Sequence, residues 1–114
     1  MNFAAPKLSR LLTLETPITR PDGAGGYSNS WTVLGHFWAA VDVASGRATS
    51  GETSPITRVS YNIIVRASPD GSASRPRAGQ RFREAQRRYQ IKTVKQVDGR
   101  AHYLSCFATE ELAL

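Results

Sequence analysis

The chain alternates apolar and polar residues with the two-residue period of strands, and it has no sustained helical period. The clearest alternation covers 57–66, where Val59, Tyr61, Ile63 and Val65 share one face. Further strands are predicted over 11–16, 30–44, 80–84, 88–97 and 101–109. The pattern predicts an all-β fold, a small β-barrel of about six short strands.

Local breaks in the pattern refine this prediction. Pro17 is expected to end the first strand, and the spacing from Ile91 to Val94 breaks the period of two and predicts a bulge. In the strand over 30–44, Trp31, Val33, Phe37, Ala39, Val41 and Val43 share one parity. Leu34 and Trp38 fall on the opposite parity and are candidates for a subunit interface, or for positions beneath a loop of the same subunit.

Two segments fall outside the strand pattern. Residues 44–56 are small, polar and rich in glycine and serine, which predicts a long exposed loop. Residues 1–9 are expected to form an extended N-terminal arm. The remaining chain, 10–114, is expected to be a single domain that contains the loop.

The charge is unevenly distributed. The net charge is +6, but residues 58–100 contain eleven basic and three acidic residues, a local net charge of +8. Such a bias attracts polyanions, although a solvated basic surface without a ligand explains it equally well. The candidate polyanion-facing residues are Arg81, Arg83, Arg87 and Arg88.

Phe82 and Tyr89 lie among these arginines and are candidates for stacking on bases. This arrangement suggests a small barrel that binds single-stranded nucleic acid. Two alternatives stay open: the aromatic residues are core positions, and the arginines pair with acids on another subunit.

Catalytic chemistry finds little support. His36 and His102 lie on separate predicted strands without a metal-ligand spacing, and Cys106 lies in an apolar strand beside Leu104 and Phe107. The acids occur singly except for one adjacent pair, whose members would point to opposite faces of a strand. No apolar stretch approaches the roughly 18 residues of a membrane span. We therefore expect no enzyme activity, no metal or cofactor and no membrane partner.

Several short motifs, in order, resemble the phage head-tail joining family, also called head-completion or stopper proteins. They are Leu8-Ser9-Arg10, Pro21-Asp22-Gly23-Ala24-Gly25-Gly26-Tyr27, Trp31, Trp38-Ala39, Val41, Ser45-Gly46-Arg47, Thr57, Tyr61, Ile63, Val65-Arg66, Arg75-Pro76-Arg77, Gly79-Gln80-Arg81-Phe82-Arg83-Glu84, Tyr89-Gln90-Ile91, Tyr103-Leu104 and Cys106. The match covers about 10 to 109, and it is closest to versions from gene transfer agents of alphaproteobacteria. One departure is Glu84-Ala85-Gln86-Arg87-Arg88, where many relatives have a glycine turn, so a tight turn is less expected here.

The resemblance implies a structural subunit of the particle neck, assembled in the bacterial cytoplasm. It implies a homo-oligomeric ring of about six or twelve copies between portal-adaptor proteins and tail terminator or tail proteins. The ring would continue the channel for packaged double-stranded DNA, and loop 44–56 would face and gate that channel. The implied channel residues are Ser45, Gly46, Arg47, Ser50, Gly51 and Glu52. Alternative functions are the single-stranded nucleic-acid-binding module and a tail-completion (terminator) protein.

Overall fold

The computed structural model describes residues 5–49, 56–68, 72–97 and 102–113. In these ranges the secondary structure consists of six strands, and no helix is long and apolar enough to span a membrane. The strands are β1 (Arg10–Pro21), β2 (Tyr27–Thr49), β3 (Ile56–Arg66), β4 (Arg81–Glu84), β5 (Arg87–Gln96) and β6 (Tyr103–Ala113). They form a closed antiparallel barrel in the order β1-β2-β3-β6-β5-β4, which confirms the predicted fold class.

The core follows from strand alternation. On β3, Tyr61, Ile63 and Val65 point into the barrel, while Asn62 and Arg66 are exposed. Each strand of the barrel contributes such inward positions, because successive side chains on a strand alternate between faces. The buried apolar residues are Leu12, Leu14, Ala39, Tyr61, Ile63, Val65, Phe82, Tyr89, Ile91, Leu104, Cys106 and Ala108.

The first strand is longer than predicted. Pro17 does not end it, since β1 continues to Pro21 and Pro17 is paired with Trp31 of β2. The pairing of β1 with β4 stops at Glu15, so Pro17 lies where one side of the strand has no partner. Proline is tolerated at such an edge because no ladder hydrogen bond needs its missing N–H.

The prediction that the apolar residues of one parity on β2 share a face is wrong, because Leu34 forms a bulge between two registers. Leu14 pairs with Gly35 and Glu15 pairs with Val33, so Leu34 is the additional residue. Residues of the same parity therefore point to opposite faces of the sheet on the two sides of the bulge. Phe37 and Ala39 face the core, whereas Val33 is exposed.

The predicted loop 44–56 is also shorter than expected. Residues 46–49 pair with residues 56–59 of β3, after a second register shift between Val43 and Ser45. Glycine and serine disfavour strands by propensity, but here the ladder continues through them, since register is fixed by the strongly alternating β3 beside them. Residues 50–55, the center of the predicted loop, lie outside the described residues.

The strands β5 and β6 match the predicted pattern. The register shift between Ile91 and Thr93 confirms the predicted bulge. Residues 98–101 between these two strands lie outside the described residues, and next to them the Val97 N–H donates to the carbonyl of Tyr103 at 3.3 Å.

A tight turn joins β4 and β5 although no glycine is present. Glu84 pairs with Arg87, which leaves Ala85 and Gln86 as a two-residue loop. Ala85 has a φ of 54°. A positive φ at the first central position alone matches a type II′ turn, which prefers glycine there. The expectation that a tight turn is disfavoured here was wrong, because the barrel imposes the turn on an alanine.

We therefore expect Ala85→Gly to raise the free energy of unfolding by about 1 kcal/mol, since the left-handed conformation strains a residue with a Cβ atom. Urea denaturation measures the change. Gln86→Gly is the matched control and should give no gain, because among the described non-glycine residues only Ala85 has a positive φ. Equal stabilisation by both variants would show that the strain at Ala85 is absent.

Candidate assembly and nucleic-acid surfaces

One end of the barrel is closed by inward-facing charged and phenolic side chains from five strands. We call this set the mouth network; it comprises Arg10, Tyr61, Glu84, Arg87, Tyr89 and Glu110. On one side, the Arg10 guanidinium donates to both oxygens of the Glu84 carboxylate, with an Nε to Oε2 distance of 3.1 Å. The same guanidinium donates to the Tyr89 hydroxyl at 3.1 Å. The network therefore links β1 to β4 and β5.

The other side of the mouth network is centered on Glu110, whose side chain is 3% exposed. Arg87 donates to it through Nε at 2.9 Å and through Nη2 at 3.0 Å, a bidentate pair. The Tyr61 hydroxyl donates to Glu110 at 2.8 Å and accepts from Arg87 at 3.0 Å. These contacts fasten β3 and β6 to β5 at the point where β3 and β6 leave the barrel.

The electrostatics of the mouth network favour charged carboxylates and guanidinium groups and a neutral phenol at Tyr61. The hydrogen bonds from Arg87 lower the pKa of Glu110, and those from Arg10 lower the pKa of Glu84. Burial raises the pKa of Tyr61, and its hydrogen bond to Glu110 adds to the rise. Each buried charge thus has a partner, as a buried ion needs. The network is suited to holding strands in place and contains no group poised to exchange protons near neutral pH.

A second charge cluster covers the outer face of the barrel where β1, β2 and β4 meet. Glu15 is buried at 6% exposure, and it accepts from Arg81 at 2.7 Å and from Arg83 at 2.9 Å. The Arg81 guanidinium lies 3.9 Å from the center of the Trp31 ring. Burial would raise the pKa of Glu15, but the hydrogen bonds from the two arginines outweigh it and lower the pKa.

The candidate polyanion-facing arginines therefore differ in their roles. Arg81 and Arg83 pair with Glu15, and Arg87 pairs with Glu110, so these three have acidic partners within the same chain. Arg88 is exposed and has no ion pair among the described residues. Together with Arg87 and Lys92 it lines an open depression of about 640 Å³ beside β6. Contact between this surface and nucleic acid stays a prediction.

The proposed stacking aromatics are core residues. Phe82 and Tyr89 are both 0% exposed, and they pair with each other across β4 and β5. Tyr89 contacts Tyr61 edge-on at 5.1 Å, and Phe82 contacts Phe37 at 6.0 Å, measured between ring centers. A ring enclosed by protein cannot stack on a base. The hypothesis that these residues bind single-stranded nucleic acid by stacking is wrong, because both point into the barrel.

The two candidate interface residues are separated by the structure. Leu34 is half-buried and packs against the core from its bulge position. Trp38 is 56% exposed on the outer face, where it pairs with the exposed Leu11. Of the two, Trp38 is thus available to another subunit, and its role as an interface residue stays a prediction.

The described residues of the implied channel loop belong to a projection of three strands. Beyond the last β5–β6 pair, Gln90 with Thr109, β6 continues along β3, and β3 continues along β2. Ser45, Gly46 and Arg47 are part of β2 in this projection, whereas Ser50, Gly51 and Glu52 lie outside the described residues. The mouth network anchors the strands of this projection at the point where they leave the barrel.

Cys106 is a packing residue. It is fully buried in the core, and burial raises the pKa of its thiol to about 12. The thiolate that a nucleophilic role requires is therefore disfavoured at neutral pH.

The acids that organise both charge clusters are not apparent from the sequence alone. Glu15, Glu84 and Glu110 each pair with arginine, yet each lies far from its partner in the sequence, 66 residues apart for Glu15 and Arg81. Strand parity offered one usable signal. Glu110 shares the parity of the inward-facing Cys106 and Ala108, which places a carboxylate on the core face, where it needs a partner.

Comparison with known proteins agrees with this geometry. Residues 3–111 match the family of phage head completion proteins. Among solved structures, the chain is similar to a chain from the virion of a native gene transfer agent (GTA) particle, with a TM-score of 0.85 and 45% sequence identity over 96% of this chain and 100% of the other. No significant match was found among curated proteins. The chain belongs to the phage head completion protein family, a family of structural proteins rather than enzymes.

Glu110→Gln should reduce the free energy of unfolding at pH 7 by about 1–3 kcal/mol, because Arg87 and Tyr61 lose a charged acceptor. The native pKa of Glu110 lies below its ordinary value of 4.5, so the unfolded chain binds more protons during acidification. Stability from this residue is present above about pH 4.5 and is lost as the pH falls through the native pKa. The variant should therefore lose less stability than the parent on acidification, as urea denaturation at a series of pH values measures.

Glu111→Gln is the matched control for this comparison. The Glu111 carboxylate pairs with Arg58 at 2.7 Å, but both side chains are about half exposed, at 56% and 49%. We expect a change below about 0.5 kcal/mol. A loss as large as that of Glu110→Gln would contradict the assignment of the stabilising charge to the mouth network.

Phe82→Ala should destabilise the barrel by about 3–5 kcal/mol, because it removes a fully buried ring. Tyr27→Ala, at a position 72% exposed, is the control and should stay within about 0.5 kcal/mol of the parent. Thermal unfolding by circular dichroism measures both. A Phe82→Ala variant that keeps its melting temperature and loses oligonucleotide binding would restore the stacking hypothesis.

Proposed function

We propose that this chain is a head-to-tail connector (stopper) subunit whose copies form a ring in the neck of a tailed phage or gene transfer agent. The observation that carries the proposal is the similarity to a chain of a gene transfer agent virion over the full length of that chain. Membership of the head completion family supports the same role. In such a ring, one side would contact portal-adaptor proteins and the other tail terminator or tail proteins, after assembly in the bacterial cytoplasm.

The ring would continue the channel for packaged double-stranded DNA, with the segment 44–56 facing it. The projection of β2, β3 and β6 supports this proposal, because the described residues at both ends of that segment lie on these paired strands, beyond the last β5–β6 pair. In sequence the segment contains one cation, Arg47, and one acid, Glu52. A nearly neutral lining does not attract phosphates strongly, so DNA can pass and the segment can act by occupying space.

Ring closure gives weak joints a sufficient total strength. A head-to-tail interface uses two different surfaces of each subunit, and a closed ring of about six or twelve copies makes every joint support the others. The exposed Trp38 would contribute to one of these surfaces. A stable isolated dimer is not required.

Deleting the gene in a producing strain should yield DNA-filled heads that are not joined to tails, and supplying the chain in trans should restore joining. Negative-stain microscopy and the yield of nuclease-resistant DNA measure the outcome. Complete, DNA-transferring particles in the absence of the chain would remove the connector proposal.

Replacing residues 50–55 by Asn-Gly should leave heads and tails joined but reduce the nuclease-protected DNA per particle, because a shorter segment no longer occupies the channel. A variant with the same six residues in scrambled order is the matched control, and we expect it to retain DNA. Full DNA retention by the shortened variant would contradict the gating role and leave the ring proposal intact.

A further inference from the structure

Exposed apolar side chains are concentrated on one face of the molecule. Among the described residues, six large apolar side chains are exposed, and four of them lie on the outer face of the β1–β2 pair. They are Leu11 (49%), Tyr27 (72%), Val33 (48%) and Trp38 (56%), which we call the apolar stripe. Exposed single apolar residues are ordinary, but an aligned set marks an interaction surface.

The register explains the alignment. Leu11 pairs with Trp38, Glu15 pairs with Val33, and Pro21 pairs with Tyr27. The three β1 positions are separated by even numbers of residues and therefore share a face. On β2 the step from Trp38 to Val33 is odd, and the bulge at Leu34 absorbs the additional residue. Without the bulge, Val33 would point to the opposite face.

The apolar stripe has no charged member, and the charges of the Glu15 cluster beside it are paired with one another. The residues between its members form the pairs Thr13–His36, Pro17–Trp31 and Thr19–Asn29. The stripe face includes one carboxylate, Glu15, and it is buried beneath Arg81 and Arg83. Aromatic and apolar residues without charge are typical of the core of a protein–protein interface. The cations on this face, Arg81 and Arg83, are already paired with Glu15, so the face offers a polyanion little uncompensated charge and a protein partner is favoured.

One member of the apolar stripe, Tyr27, lies on a hairpin that extends beyond the barrel. The β1–β4 pairing ends at Glu15, whereas the β1–β2 pairing continues to Pro21 and Tyr27. A two-stranded hairpin in water is at best marginally stable by itself. Burial of its apolar face against another molecule would stabilise it.

We propose that the apolar stripe is a joint between neighbouring copies of this chain, which rests on the ring proposed above. With twelve residues in β1, the stripe is about 40 Å long and about 10 Å wide, or roughly 400 Å². A stable interface buries about 800 Å² on each partner, so the stripe alone is too small for a lasting one-to-one complex with an unrelated protein. Repetition around a closed ring compensates for a small joint, which favours a second copy as the occupant.

Two charge insertions test the proposal on the full chain. Tyr27→Glu and Val33→Glu should each raise the concentration for half-maximal ring assembly at least about tenfold, measured by sedimentation velocity and mass photometry. Val43→Glu is the matched control, because Val43 is 69% exposed but lies on β2 near the opposite hairpin. Melting temperatures of all three should stay within a few degrees of the parent, because each position is exposed to solvent.

Failure of this inference is distinguishable from failure of the ring. Rings formed equally well by the parent and both stripe variants would overturn the proposal that the apolar stripe is a joint, and would leave the ring proposal intact. A parent chain that stays monomeric at high concentration and in particles would overturn the ring proposal itself.

A photoreactive benzoylphenylalanine at position 33 identifies the occupant in assembled particles. A cross-linked product with the mass of two copies of this chain supports the proposal. A product that contains a different particle protein, or no product in joined particles, overturns it.

Discussion

The closure of the barrel depends on a short seam between β1 and β4. The seam has three residue pairs, Thr13–Arg83, Leu14–Phe82 and Glu15–Arg81. Backbone pairing over so few residues needs side-chain support, and it receives support on both faces. Leu14 and Phe82 are fully buried inside, and Glu15 bridges two arginines outside. Without this seam the sheet would have two open edges and no enclosed core.

The shortness of the seam also determines what projects from the barrel. β1 has twelve residues, but β4 pairs with three of them, Thr13–Glu15, so residues 16–21 of β1 continue outward with β2 as a hairpin. At the other end, β6 continues with β3 beyond its last pair with β5. The molecule measures 53 × 37 × 21 Å as a result. A compact barrel thus carries projections from both ends of β2, which suits a subunit that must contact several neighbours.

Strand alternation made the fold class predictable, because β3 has an uninterrupted period of two and the β5 bulge left a visible break in spacing. The bulge at Leu34 left no such signal, since both parities of β2 contain large apolar residues. The segment 44–56 was predicted as loop from composition, yet pairing with β3 extends β2 to Thr49. The acidic partners of Arg81, Arg83 and Arg87 depend on strand order in a closed barrel, which one sequence does not reveal. The assignment of Phe82 and Tyr89 to the core or to a stacking surface was ambiguous for the same reason.

The structure pairs Arg81, Arg83 and Arg87 of the basic segment with acids of the same chain, which assigns these three cations to stability. In our proposal, assembly depends on shape, register and exposed apolar surface. We propose that the subunit gains its function through repetition around an axis. A cryo-electron microscopy reconstruction of the particle neck tests this claim most directly. The account predicts a closed ring of this chain between head and tail, with residues 50–55 of each copy at the axial channel. Density for the chain elsewhere in the particle, or as separate monomers, would contradict it.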